Sequence, residues 1–171
     1  RNTGYIRLNR FSRNSSSEIR EVLMSLEDQG AERIILDLRG NPGGLMDAAV
    51  SIVDMFIEPG MEIVSMSGRS DDSIRLFKSQ SKPIIDPTVR LAVLIDGGSA
   101  SASEIVAGAI QDLDRGIVIG DTSFGKGLVQ TAFQLDESKT LKMTTAKYYI
   151  PSGRCIQALS LIHILRCRRA I

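Results

Sequence analysis

Two short stretches decide most of what this chain can fold into. Residues 33–38 (Arg-Ile-Ile-Leu-Asp-Leu) and 89–95 (Val-Arg-Leu-Ala-Val-Leu-Ile) are apolar at nearly every position rather than at every second one. A strand with one wet face alternates, whereas a run of this kind suits a parallel strand covered on both faces. Parallel neighbours need a crossover, usually a helix, and helical patterns stand where crossovers are required. Ile19, Val22, Leu23 and Leu26 share one face before the first run, opened by Ser15-Ser-Ser-Glu18 at capping-box spacing and stopped by Gly30. Leu45, Ala48, Ala49, Ile52, Val53 and Phe56 form a second inward face, ended by Pro59-Gly60. Ala102, Ile105, Val106, Ala109 and Ile110 form a third after residues 89–95.

The rest of the chain is read in the same way. Residues 5–11 alternate, with Ile6 and Leu8 against Arg7 and Asn9, as a half-buried strand does. Residues 61–66 and 117–119 are strand-like, and 73–77 is an edge-strand candidate. Residues 128–135 and 140–149 pair as a hairpin across the turn at 136–139. Strand–helix alternation followed by a β-rich end makes this an α/β layered fold.

A chain of 171 residues suffices for one domain with a real core, and a net charge of +1 gives no case for nucleic acid as a partner. Cys155 and Cys167 form neither a disulfide framework nor a metal-ligand cluster. The chain opens on Arg1 and runs straight into strand-like sequence, so it is expected to be a fragment, with its core over residues 1–159. Residues 160–171, apolar and then basic without turn chemistry, are expected to be a non-native or disordered tail.

The chemistry centres on Asp96-Gly-Gly-Ser-Ala-Ser-Ala-Ser-Glu104, which joins a buried-type strand to a helix. It puts small hydroxyl residues at a helix N-terminus, where free N–H groups favour negative charge. Ser99, Ser101 or Ser103 is there either a helix cap or a nucleophile. A histidine base is scarce, because His163, in the expected tail, is the only histidine. The turn also lacks the G-x-S-x-G elbow, since Ser101 stands where the second glycine would be. Lysine is the remaining base, and it serves as one where burial favours the neutral amine. Lys78, Lys82, Lys139, Lys142 and Lys147 lie in polar loops or a hairpin arm, whereas Lys126 sits in a glycine-rich loop between two apolar strands.

The same loop, Gly120-x-x-x-x-Gly125-Lys126, follows the P-loop pattern up to its last position. There Gly127 replaces the required Ser or Thr, and a strand pattern follows instead of a helix. Residues 39–44 make a loop that neither helix nor strand would use, with Gly43-Gly44 free to take positive φ and to bring a backbone N–H close to a ligand.

Asp37-Leu-Arg-Gly-Asn-Pro-Gly-Gly44, Gly98-Ser-Ala-Ser-Ala-Ser-Glu104 and Thr122-Ser-Phe-Gly-Lys-Gly-Leu-Val-Gln130 together resemble the signature segments of the carboxyl-terminal processing (tail-specific) serine peptidases. Tyr148-Tyr-Ile-Pro-Ser-Gly-Arg154 resembles the turn that ends that family's core. The resemblance implies a crotonase-like (Clp protease-like) core of ββα units with a β-rich C-terminal part. It implies Ser101 as nucleophile, Lys126 as general base, Gln130 orienting the lysine, and an oxyanion hole from the N–H groups of Gly44 and Ala102. Ser99 and Ser103 would be structural, and Lys126 is expected among apolar neighbours, with Ser101 and Gln130 as polar partners. No cofactor or metal is implied. Protein or peptide substrates with apolar C-termini are, as are a PDZ domain in the full-length chain and a bacterial periplasm or cell-envelope location. A homo-oligomer stays open. So do two other functions on the same core: a non-catalytic peptide- or ligand-binding relative, and an acyl-CoA enzyme of crotonase-like fold.

Overall fold

The two non-alternating runs lie side by side as parallel strands. In the computed structural model, which describes residues 2–68 and 74–157, Ile34 stands opposite Leu91 and Leu36 opposite Val93. The elements in chain order are β1 (Thr3–Arg7), α1 (Ser15–Asp28), β2 (Arg33–Asp37), α2 (Met46–Asp54), β3 (Glu62–Gly68) and β4 (Arg75–Lys78). They continue with β5 (Arg90–Ile95), α3 (Ala102–Asp112), β6 (Ile117–Gly120), β7 (Leu128–Gln134) and β8 (Thr140–Tyr149). One sheet, β1-β2-β5-β6, is parallel throughout, and the other, β4-β3-β8-β7, is antiparallel. The expectations placed on residues 160–171, His163 and Cys167 lie outside the described residues.

The core forms where the parallel sheet meets the helices. Ile6, Ile34, Leu36, Leu91, Val93, Ile95 and Val118 face Ile19 and Leu23 of α1, Ile52 and Val53 of α2, and Ile105, Val106 and Ile110 of α3. Every residue from Ala102 to Ile110 is buried, because α3 packs against α2, β3 and β6. A helix enclosed on all sides is made mainly of small and apolar residues, and this one is, apart from Ser103 and Glu104 in its first turn. Gly108 shows how tight the fit is: a methyl group there would stand 2.7 Å from Cγ2 of Ile150.

Four expectations need correction. The parallel strands are covered on one face only by the described residues. Ile35, Ala92 and Leu94 are half-buried, and Ile117 and Ile119 are exposed, since the helices pack on the opposite face. The capping box does not form at Ser15-Ser-Ser-Glu18. Helix α1 starts at Ser15 itself, after Asn14, and the Ser15 hydroxyl instead donates to the Arg10 carbonyl and accepts from the Ser12 amide. Val22, expected inward, is exposed, and so is Leu45, which precedes α2 as its cap residue.

Asp37 closes β2 on the open face, yet its carboxylate is fully buried. Arg39 folds back over it, donating from Nε to Oδ1 at 2.9 Å and from Nη2 to Oδ2 at 2.7 Å. The Tyr5 hydroxyl donates to Oδ2 at 2.5 Å. The Arg39 side-chain bonds are the main cause holding the Asp37 carboxyl well below the usual carboxylate range; burial opposes them and Tyr5 adds to them. A carboxylate whose folded pKa is depressed stabilises the fold at neutral pH. That contribution is lost as pH falls below the unfolded value of about 4. Asp37→Asn is expected to lower the urea unfolding midpoint at neutral pH by the equivalent of about 1–3 kcal/mol. The gap from the parent chain should narrow as pH drops from about 4 towards 2. A gap of constant size across that range would show that the charge is not what stabilises.

Candidate functional site

Strands β2, β5 and β6 are neighbours in the parallel sheet, so the loops leaving their C-terminal ends meet. That end of an open α/β sheet is where ligand crevices form. The three loops are residues 38–45, 96–101 and 121–127, the segments that carried the sequence signatures. Gly43-Gly44 and Ala100–Ala102 emerge together, as expected.

The first two loops are tied by backbone bonds that buried polar side chains reinforce. Asp96 Oδ1 accepts the amides of Gly40 at 2.8 Å and Gly98 at 2.9 Å, and the Gly40 bond is the largest cause lowering the Asp96 carboxyl from its ordinary range. Ser99 Oγ donates to the Leu38 carbonyl, and Ser103 Oγ to the Asn41 carbonyl. Both serines are buried, in keeping with structural roles. Asn41 is fully buried as well. Its Nδ2 donates to the Leu8 carbonyl, its Oδ1 accepts the Gly43 amide, and its carbonyl accepts the Ala100 amide. This leaves room only for glycine: a methyl at Gly43 would lie 2.6 Å from the Ala100 carbonyl oxygen and 2.9 Å from Ser101 Cβ. Gly43 and Gly44 both have positive φ, 93° and 147°.

Ser101 is the residue before α3, at φ 54° and ψ −109°. Positive φ is rare for a residue with a Cβ and costs about 1–3 kcal/mol, so the surroundings must enforce it. Glu104 does so. Here is the capping box that residues 15–18 do not form, in an unusual version. The Ser101 amide donates to Glu104 Oε2 at 2.7 Å, and the Glu104 amide bonds the Ser101 carbonyl at 2.9 Å.

Glu104 also holds the third loop. Its carboxylate, in a residue only 1% exposed, accepts Ser123 Oγ at 2.7 Å and the Gly125 amide at 2.6 Å on Oε1, and the Lys126 amide at 2.9 Å on Oε2. One oxygen atom therefore binds the backbone of both Ser101 and Lys126. The Phe124 amide adds a bond to the Ser99 carbonyl. Lys126 itself is half-buried rather than enclosed on most sides, because its loop runs along the rim and opens directly into β7. That strand, where a phosphate-binding loop requires a helix, removes the nucleotide reading. Gln130 lies on β7, next to a register shift between Val129 and Gln130, and is exposed.

Among the described residues, neither the Gly44 amide nor the Ala102 amide has a hydrogen-bond acceptor, though Ala102 is buried. Gly43 sits between them, since a Cβ on it would be 3.0 Å from the Ala102 nitrogen. A buried N–H at a helix start is the kind of donor that can stabilise an oxyanion. A separate cavity of about 580 Å³, lined by Ile34, Ile35, Leu91, Ala92 and Ile117, opens at the opposite, N-terminal end of the sheet and takes no part here.

Sequence reasoning missed Glu104, Asn41 and Ser123 as the residues that assemble these loops. For Glu104 a signal existed: it stands three residues after Ser101, at capping-box spacing just before an apolar run. Asn41 and Ser123 carry no such mark, because their partners are distant in sequence.

Residues 2–162 match the model of peptidase family S41. A carboxy-terminal-processing protease of Bartonella bacilliformis is 44% identical over 162 residues, covering 92% of this chain and 37% of the relative. The carboxy-terminal processing protease CtpA of Bacillus subtilis is 39% identical over 155 residues, covering 91% of this chain and 33% of the relative. Among solved structures, a photosystem II D1 C-terminal processing protease superposes with a TM-score of 0.82 at 35% identity, covering 91% of this chain and 39% of that one. The tricorn protease, at 15% identity and a TM-score of 0.52, shares the fold. The chain thus spans a little over a third of the length of these curated relatives, and its fold is the Clp protease-like core expected from its motifs. With 161 of its 171 residues matched, motifs in order and a closely superposing structure, this chain belongs to peptidase family S41.

Proposed function

We propose that the chain is the catalytic core of a serine endopeptidase that works with a Ser101–Lys126 dyad and cleaves polypeptides near their C-termini. One observation carries the reading. Glu104 Oε2 accepts the amides of both Ser101 and Lys126, so the candidate nucleophile and base are fastened to the same atom. In this reading the neutral Lys126 amine takes the Ser101 proton as Oγ attacks the scissile carbonyl, and returns it to the leaving amine. The amides of Gly44 and Ala102, which have no acceptor among the described residues, receive the negative oxygen of the tetrahedral intermediate. Gln130, the third residue of β7, orients the lysine.

The preference for C-terminal segments rests on the motif resemblance and on the relatives, which are named as carboxy-terminal processing proteases. A PDZ domain in the longer protein would select substrate ends, and a bacterial periplasmic or envelope location is proposed on the same resemblance.

Three measurements test this. A fluorophosphonate probe is expected to label Ser101, located by peptide mass mapping, and Ser101→Ala to abolish labelling. Labelling elsewhere, or none in the full-length protein, would leave a binding module on the same core. Lys126→Arg keeps the charge but cannot serve as a base. It should therefore lose activity on an unfolded polypeptide as fully as Lys126→Ala, by at least about 100-fold. Near-normal cleavage by the arginine variant excludes the lysine as base. Glu104→Gln replaces one acceptor oxygen with an N–H₂ group that faces amide donors. It should destabilise the chain by about 1–3 kcal/mol in urea unfolding and weaken Ser101 labelling well beyond that loss. Labelling at the parent rate would show that the carboxylate does not set the dyad.

A further inference from the structure

Strand β7 ends the antiparallel sheet and has nothing beside it among the described residues. Free edges invite pairing with another chain, and proteins blunt them with short strands, charges or proline. The opposite edge of the same sheet follows that practice, since β4 has four residues and carries Arg75 and Lys78 at its ends. Strand β7 does not. Its seven residues, Leu-Val-Gln-Thr-Ala-Phe-Gln, include no charge and no proline. The Tyr148 amide donates to the Gly127 carbonyl at 2.8 Å while Leu128 stands opposite Lys147. In an antiparallel ladder this turns the N–H and C=O of Leu128 away from β8, onto the open edge.

Two further features say what the edge is for. It begins two residues after Lys126, so a strand laid along it runs into the loop that carries the candidate base. On one face of the hairpin, Phe133 opposes Leu141 and Thr131 opposes Met143. Phe133, Leu141 and Met143 are all more than 40% exposed. A strand added to β7 would place every second side chain over this apolar stripe.

Resting on the dyad reading above, we propose that the edge of β7 takes the substrate polypeptide as an added strand. The chain is then held by its backbone, with apolar residues at alternate positions, and is led to Ser101. Such recognition accepts many sequences but only extended, unfolded ones, because a residue already in a helix or sheet has no free backbone bonds to offer.

The Ser101→Ala chain with its native flanking regions permits a binding test that needs no turnover. Fluorescein-labelled peptides of about ten residues, with apolar residues at alternate positions, are titrated by anisotropy, each carrying one backbone N-methyl group. Strand addition predicts a period-two pattern: about 3- to 10-fold weaker binding at every second position and little change between. Amide exchange should slow on peptide binding within residues 128–134. A uniform response along the peptide, or protection arising only elsewhere, overturns the proposal. A stable dimer by sedimentation, with the β7 amides protected before any peptide is added, also overturns it, because a second copy then fills the edge. Fluorophosphonate labelling of the parent chain separates the two readings. A labelled Ser101 without the period-two pattern removes strand addition alone, and the pattern without labelling supports strand addition while removing the dyad.

Discussion

Glu104 is where the fold and the chemistry meet. Its carboxylate lies in the buried first turn of α3, away from water, and is surrounded by donors from two different loops. A buried anion survives only if its oxygens are fully hydrogen-bonded, and here the partners are mostly backbone amides. The requirement runs both ways. The loops at 96–101 and 121–127 must close to satisfy the carboxylate, and the carboxylate must be present to order the loops. Asn41 does the same for the glycine loop at 38–45 with a neutral side chain. The site is therefore assembled from three strand ends by buried polar groups, while apolar packing of the helices supplies the platform beneath.

Much of this was legible in the chain. Runs that fail to alternate gave the parallel strands, and their pairing of Ile34 with Leu91 and Leu36 with Val93 follows. The glycines at 43 and 44 marked the loop that must approach another backbone. Legibility ended where two hydrogen-bonding options shared one spacing. Ser15-Ser-Ser-Glu18 and Ser101-Ala-Ser-Glu104 look alike as capping boxes, but a serine in the first case turns back to Arg10. Only the second has a buried glutamate beneath another loop, and no local pattern reports a loop twenty residues away. The one-sided burial of the parallel sheet was equally hidden. An apolar run states that a face avoids water, not which segment covers it.

The face that the described residues leave open makes a physical statement. Tyr5, Ile35, Ala92 and Ile117 stand in register across four strands, and the first and last are more than 40% exposed. The helices account for only one side of the sheet, and the relatives are nearly three times as long as the aligned region. Apolar surface of this regularity is unfavourable in water, so the sheet's stability is coupled to whatever environment that side meets.

The backbone of Ser101 carries a last implication. Its φ of 54° suits a residue without a Cβ, and glycine would relax there what serine must hold under strain. If Ser101 is the nucleophile proposed above, its place in the chain is one where thermodynamics and chemistry favour different amino acids. Stability alone would erase the hydroxyl from position 101, so a serine held there at positive φ draws on conformational energy that the surrounding hydrogen bonds must supply.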